Sequence, residues 1–363
     1  MIGFDYVKAR DVGDAVSQIA RDPNAKFIAG GTNLIDLIKE NVAQPRRLID
    51  ITSLPLAEIE DTEAGGLRVG ALVPNSDLVY DARISKRYPL LSSAILAGAS
   101  AQLRNMASTG GNLLQRTRCL YFYDTTTACN KRAPGSGCGA RDGFNRMNAV
   151  LGWSEACIAV HPSDMCVALA ALEAVVHATG PNGDRAIPFA EFHRLPDDEP
   201  EIDTTLAADE IVIAIELPAQ GFARNFSYLK IRDRLSCAFA LVSVAVGLDL
   251  DLDGGAINQA RIALGGVAHK PWRVPGAEAA LKDQVPDRKA FAKAADSTRK
   301  STKPTDLGKS EWSQWPPRLH AAIPTMLCPN RRSAKRTNIA RRWSTIIPWN
   351  AWAARRVGTK TNA

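Results

Sequence analysis

A chain of 363 residues, 45% hydrophobic and 23% charged, is long enough for two domains with a sizeable core, and its make-up excludes a disordered or fibrous protein. The formal charge of +7 sits at one end: residues 297–363 hold 14 Lys and Arg against 2 Asp and Glu, while residues 1–296 hold 31 against 36. The mildly acidic body argues against a nucleic-acid-binding surface, no apolar run approaches a membrane span, and the first residues carry no signal with which the chain would direct its own export.

Apolar residues at Val12, Ala15, Val16 and Ile19 have the spacing of one helical face, predicting a helix over Asp11–Ala20. Lys26-Phe-Ile-Ala-Gly-Gly-Thr-Asn-Leu34 reads as a strand that runs into two glycines and then a helix starting near Asn33. Free N–H groups at such a turn suit a phosphate. The run is neither a G-x-G-x-x-G fingerprint nor a Walker loop, and a plain strand–turn–helix junction would look the same. Short strands are predicted at Arg47–Ile51 and Leu67–Ala71. A helix cap follows at Val73–Asp77, then one helix from Ile84 to Ala101 with small residues at Ala94–Gly98 for close packing.

The most informative stretch opens with Asn105-Met-Ala-Ser-Thr-Gly-Gly-Asn112 and closes with His161-Pro-Ser-Asp164. Between them lie four of the seven cysteines, Cys119, Cys129, Cys138 and Cys157, spaced C-x9-C-x8-C-x18-C. A Gly-rich turn beside clustered thiols suggests a phosphate-bearing cofactor with a metal centre close by. Three readings of the thiols stand. They could be buried core cysteines. They could hold structural zinc, although the usual C-x2-4-C knuckle is absent. They could hold a [4Fe–4S] cluster on four thiolates, which tolerates varied spacing and whose charge Asn130, Lys131 and Arg132 could offset. Disulfides have no secretory signal to support them. Ser163 or Asp164 fits the N-cap of a helix in the apolar run Met165–Val176, and His161 is either a cofactor contact or a structural histidine.

Strands are predicted at Ile211–Leu217, at Phe226–Ile231 with Lys230 beside charged turn residues, at Cys237–Leu250 and at Ile257–Leu264, with Gly254-Gly255 turning between the last two. Such a meander is typical of a small α+β domain. Pro275–Leu281 begins a helix. Near Ser297 the character changes: five of the seven Trp fall after residue 310, and periodicity stops. Residues 297–363 are expected to stay disordered or weakly helical. They read as an out-of-frame translation, with a genuine basic arm as the alternative.

Several of these runs carry a resemblance. Ala29-Gly-Gly-Thr-Asn33, Leu103-Arg-Asn-Met-Ala-Ser-Thr-Gly-Gly-Asn-Leu113, Ser163-Asp164, Tyr228-Leu-Lys230 and Ala263-Leu-Gly-Gly-Val-Ala268 are similar to motifs of the FAD-binding (medium) subunit of molybdenum hydroxylases, the xanthine dehydrogenase and aldehyde oxidoreductase family. It covers residues 1 to about 281. The usual Ser-Pro-x-x-Asp segment after Gly-Gly-Asn is replaced by Gln115-Arg-Thr-Arg-Cys-Leu-Tyr-Phe-Tyr-Asp124 and the cysteine loop, resembling the branch whose flavin subunit adds a [4Fe–4S] cluster.

The resemblance implies an α+β fold: a two-lobed FAD-binding domain of the vanillyl-alcohol oxidase type over residues 1–220, holding the cluster loop at about 115–160, then a small α+β flavoprotein C-terminal domain over 221–296. The family's closing amphipathic helix is expected to be missing. FAD would rest its pyrophosphate on the amides of Lys26, Phe27, Ile28, Ala29, Gly30, Gly31, Thr32, Asn33 and Leu34 and of Thr109, Gly110, Gly111 and Asn112. Asp124 and Asp164 would contact ribose or ring polar groups, His161 would be a further contact, and Lys230 would lie near the isoalloxazine. Cys119, Cys129, Cys138 and Cys157 would ligate the cluster. The partners implied are a large molybdenum-cofactor subunit and a small [2Fe–2S] subunit. The complex would be cytoplasmic, or periplasmic if a partner carries the export signal. A hydroxybenzoyl-CoA reductase-type flavin subunit and a non-redox binding module are the alternatives.

Overall fold

The computed structural model describes residues 2–235, 237–251 and 255–301. The predicted tail beyond residue 301, Cys328 within it, and Gly254 of the predicted turn lie outside them. The chain begins with β1 (Asp5–Lys8), α1 (Val12–Arg21), β2 (Ala25–Ile28), α2 (Leu34–Lys39) and β3 (Arg47–Asp50). Helical crossovers make the three strands parallel, in the order β1-β3-β2. α1 starts where the sequence predicts, because the Asp11 carboxylate accepts from the Asp14 amide, and it buries Ala15, Val16 and Ile19.

A second sheet is antiparallel throughout. It combines β4 (Ile59–Asp61), β5 (Leu67–Gly70), β6 (Val175–Gly180), β7 (Gly183–Pro188) and β8 (Ile211–Leu217) in the order β4-β5-β8-β6-β7. Between β5 and β6 the chain forms a helical layer: α3 (Asn75–Tyr80), α4 (Ala82–Arg87), α5 (Pro89–Ala97), α6 (Ala101–Met106), α7 (Thr109–Leu113), α8 (Leu120–Tyr123) and α9 (Asp164–Ala171). α10 (Phe189–Phe192) follows β7. Leu90, Leu91, Ile84 and the wholly buried α9 close the main core against Val69, Val176 and Ile215.

The single helix predicted over Ile84–Ala101 is three. Pro89 has no N–H to continue α4 and starts α5 instead. Ala99, at φ 51°, then turns the chain before Ser100 caps α6. The helix after Ser163 also stops early, at Ala171, because Glu173 (φ 54°) reverses the chain into β6.

The last unit is a four-stranded antiparallel sheet of β9 (Asn225–Ile231), β10 (Val242–Leu250), β11 (Ile257–Gly265) and β12 (Trp272–Arg273), in the order β12-β11-β10-β9. β10 begins five residues later than predicted: Cys237, at φ 50°, opens a loop that reaches Leu241. α11 (Pro275–Leu281) and α12 (Arg288–Ser301) share a core with this sheet. α12 is a helix that the local pattern does not predict. Ala290, Phe291, Ala294, Ala295 and Thr298 make a buried stripe at helical spacing, and the helix runs through the composition break at Ser297.

Candidate functional site

A cleft of about 370 Å³ opens where the β2–α2 loop, α5 to α7, the start of α9 and β9 meet. Thr32, Asn33, Gly111, Asn112, Asp164 and Lys230 are among its lining residues. The β2–α2 loop can take its path only because of its two glycines. A Cβ on Gly30 would lie 1.6 Å from the Met106 carbonyl oxygen, and Gly31 has φ 71°. Among the described residues, the amides of Gly30 to Leu34 donate to no protein acceptor. Of the predicted run, Thr32 and Asn33 line the cleft and Lys26 to Gly31 and Leu34 do not; Phe27 and Ala29 pack into the N-terminal core.

The second predicted cradle differs. Thr109 N donates to Val73 O (2.9 Å), Gly110 N to Ala71 O (2.7 Å), Gly111 N to Ser108 Oγ (3.2 Å) and Asn112 N to Ser108 O (2.9 Å). These amides cap and dock α7, so Gly110 serves close packing on Ala71, which a Cβ there would approach to 3.0 Å. The donors open to a phosphate belong to the first turn. Two buried amide atoms also lack partners among the described residues, Asn33 Nδ2 and Asn75 Oδ1, and both residues line the cleft. Buried polar atoms are rarely left unpaired, so the pair points to a polar ligand.

Ser163, not Asp164, caps α9, accepting from Cys166 N at 3.0 Å. Asp164 is thereby released to the cleft. Its Oδ2 lies 2.7 Å from Lys230 Nζ, and its Oδ1 accepts from the Tyr228 hydroxyl at 2.6 Å. Tyr228 and Lys230 are two apart on β9 and so share a face. The Lys230 and Asp164 side chains are only 4% and 7% exposed. Burial, and then Asp164, push the Tyr228 hydroxyl well above its ordinary pKa, so it stays protonated as the donor.

The structure does not bring Asp124 or His161 into the cleft. Asp124 is exposed and closes a turn by accepting from Thr126 N (3.0 Å) and Thr126 Oγ1 (2.7 Å), which hold its carboxyl below the usual range. His161 is buried against His193, with ring centroids 4.3 Å apart, and both Nε2 atoms approach the Leu113 carbonyl, at 3.3 and 2.9 Å. Ligand atoms of His161, Cys166 and His193 lie within 4.8 Å of one another. With each imidazole already directed at that carbonyl, the group reads as internal bracing.

The four loop cysteines come to one place. Cys119, Cys129, Cys138 and Cys157 all line one small cavity of about 10 Å³ together with Lys131, Asn148 and Ala159. Cys129 and Cys138 are paired across an isolated antiparallel bridge. Asn148 Nδ2 donates to the Cys119 sulfur at 3.5 Å, and the Arg132 amide to the Cys129 carbonyl at 3.0 Å. Burial pushes the Cys157 thiol up to about 12 and raises that of Cys129. A metal centre could hold all four as thiolates. Cys166 is fully buried in α9 and Cys237 is exposed; neither lines this cavity.

The loop is pinned from behind. Lys131 is buried, donates to Pro200 O at 2.5 Å and pairs with Asp203, to which Arg116 Nε also donates at 2.7 Å. Burial alone would raise the Asp203 carboxyl; the two cations outweigh it and hold it down to about 2. Nearby, burial depresses His193 to about 4 and His269 to about 3. These imidazoles stay neutral when folded, while the unfolded chain binds protons below about 6.5. The stability they contribute is therefore complete above pH 6.5 and falls as pH drops toward 4 and 3, each group removing about 1.4 kcal/mol per pH unit. Urea unfolding midpoints measured from pH 7 to 4 should decline accordingly, and His269→Phe should flatten the curve.

A third cavity, about 30 Å³, lies between the other two. It shares Cys119 with the thiol cavity, and Arg118, Pro162, Ser163, Asp164 and Phe239 with the cleft. Asn75 and Arg118 were missed by sequence reasoning, since no local pattern marks an Asn or Arg as cleft-lining.

Comparison with known proteins gives the family. The family described as the FAD binding domain in molybdopterin dehydrogenase matches residues 2–220, and the CO dehydrogenase flavoprotein C-terminal domain matches 227–312, past the composition break. The chain is 53% identical to the aldehyde oxidoreductase FAD-binding subunit PaoB of Escherichia coli (strain K12) over 282 residues, 77% of this chain and 86% of that one. It is 26% identical over 296 residues to the carbon monoxide dehydrogenase medium chain of Hydrogenophaga pseudoflava, covering 81% and 85%. A solved structure of that organism's carbon monoxide dehydrogenase, lacking the Mo-pyranopterin moiety of its cofactor, superposes with a TM-score of 0.66 at 26% identity over 90% of this chain and 96% of that one. Quinoline 2-oxidoreductase of Pseudomonas putida 86 shares the fold, with a TM-score of 0.65 at 23% identity over 89% and 94% of the two chains. The chain belongs to the family of FAD-binding subunits of the molybdenum hydroxylases, and is an oxidoreductase subunit.

Proposed function

We propose that this chain is the FAD and [4Fe–4S] electron-transfer subunit of a molybdenum-dependent aldehyde oxidoreductase, taking electrons from partner [2Fe–2S] clusters and delivering them to an external acceptor. The observation that carries the reading is the thiol cavity: four cysteines converge on one space that adjoins the cleft through Cys119 and the cavity beside it. The 53% identity to PaoB, named as an aldehyde oxidoreductase subunit, supports the substrate class. The aldehyde itself would be oxidised on a large molybdenum-cofactor subunit. A hydroxybenzoyl-CoA reductase-type subunit ranks second, on thiol spacing. Among the described residues no helix is long and apolar enough to cross a membrane. The complex is placed in the cytoplasm, or in the periplasm if a partner carries the export signal.

The cleft suits FAD, which when bound supplies the redox chemistry. The open amides of Gly30 to Leu34 would hold the pyrophosphate, with Asn33 Nδ2 and Asn75 Oδ1 completing their hydrogen bonds on the ligand. Lys230, oriented by Asp164, would present a cation to the ring, and Tyr228 would keep Asp164 from turning away. Cys119, Cys129, Cys138 and Cys157 would hold the cluster, with Asn148 Nδ2 donating to the Cys119 sulfur.

Purified from its natural host, the chain should show the visible bands of oxidised flavin and contain iron. Alone it should pass electrons from reduced flavin to a dye, yet turn over no aldehyde. A colourless chain, or robust aldehyde oxidation without partners, would overturn the assignment.

A further inference from the structure

We infer that Arg118 is a positioning residue that couples the two redox sites, its guanidinium raising the electron affinity of both the flavin cleft and the thiol cavity. The inference rests on the FAD and cluster reading above. Arg118 lines the cleft and also the small cavity beside it, and its neighbour Cys119 lines that same cavity and the thiol cavity. The cation therefore stands between two places that each gain negative charge on reduction. A fixed positive charge near both favours the reduced form of each.

Its position is set by three separate segments. Nη1 lies 3.1 Å from Asp36 Oδ2 on α2 and 2.7 Å from the Tyr123 hydroxyl on α8. The guanidinium carbon lies 5.9 Å from the Tyr123 ring centroid and 5.0 Å from that of Phe239, in the loop before β10. Aromatic walls lower the local dielectric and lengthen the reach of the charge. Nε is buried and has no partner among the described residues.

Two other cations near these sites are each held by a carboxylate. Lys230 is locked to the 7%-exposed Asp164 side chain, and buried Lys131 to Asp203, so each is largely cancelled at short range. Arg118 pairs instead with Asp36, whose side chain is 45% exposed and therefore screened by water. Its field toward the protein interior is the less opposed.

The test is redox titration of the complete complex carrying Arg118→Gln, with Arg118→Lys as the conservative control. FAD and iron contents are measured first. Flavin absorbance and the cluster's electron paramagnetic resonance signal then report each midpoint separately. In the glutamine variant the reduced-to-oxidised ratio at fixed potential should fall about tenfold at both centres, about 59 mV for a one-electron couple. Lysine should restore most of it. Full cofactor content with neither midpoint moved, or only one, overturns the inference and leaves the parent reading intact. Absence of flavin or iron from the unaltered complex sinks the parent reading, and the inference with it. If Arg118→Gln fails to fold, Arg118→Met serves as a second neutral variant: both midpoints should fall, and unchanged midpoints again overturn the inference.

Discussion

Cys157→Ser is expected to strip the purified chain of its iron, by tenfold or more, and Cys119→Ser, Cys129→Ser and Cys138→Ser to do the same. All four cysteines line one small cavity. The segment between α8 and α9 has no helix or strand of its own to hold it closed. It is tied by the Lys131–Asp203 pair, by Arg132 donating to the Tyr121 and Phe122 carbonyls, and by Val150 and Leu151 N donating to Val267 O. On the proposed reading, losing one of four ligands would leave the cluster with an open iron and the loop with one anchor fewer. Cys166→Ser and Cys237→Ser should keep full iron, since one lies in the core of α9 and the other on the exposed loop before β10. Iron per chain, with the visible absorbance as a second readout, checks the set. Full iron in Cys157→Ser together with loss in Cys166→Ser would show that the fourth ligand is misassigned.

Lys230→Met should destabilise the flavin-free chain by about 3–5 kcal/mol, the usual cost of leaving one charge of a buried pair without its partner. Asp164 would keep only the Tyr228 hydroxyl, at 2.6 Å, with its side chain 7% exposed. The double variant Lys230→Met/Asp164→Leu should recover most of that loss, because a buried pair replaced by apolar groups of similar size is often neutral. Neither variant should hold FAD as well as the parent, since both remove the cation at the cleft. Urea unfolding of flavin-stripped protein separates stability from ligand linkage. A Lys230→Met midpoint equivalent to less than about 1 kcal/mol of destabilisation would mean that the pair is far more hydrated than its burial indicates.

Much of the architecture was legible because its causes are short-range. The Asp11 cap and the apolar face of α1, the β2–turn–α2 junction, β8 over Ile211–Leu217 and α11 over Pro275–Leu281 all stand where local pattern puts them. The breaks were harder. Pro89 lies in plain view inside the predicted long helix, but Ala99, Glu173 and Cys237 adopt positive φ with no glycine to announce it. α12 was hidden by composition: its buried stripe of Ala, Phe and Thr is too weakly apolar to stand out among lysines and arginines until a sheet is present to pack on.

The site divides in the same way. Residue types and spacing by themselves marked the four cysteines and the two Gly-Gly turns, because each kind of chemistry admits few side chains; the family resemblance added Asp164 and Lys230. Which amides are open was decided only by the tertiary structure. Gly110 and Thr109 lose their N–H groups to Ala71 and Val73, more than thirty residues away, while Gly30 to Leu34 meet no such carbonyl. Contact also decided that Ser163 caps α9 and frees Asp164, that Asp124 closes a turn instead of facing the cleft, and that Arg118 stands between two cavities. A hydrogen bond is taken by the nearest properly oriented partner, and nearness between distant segments is set by packing, which no local window of the chain contains.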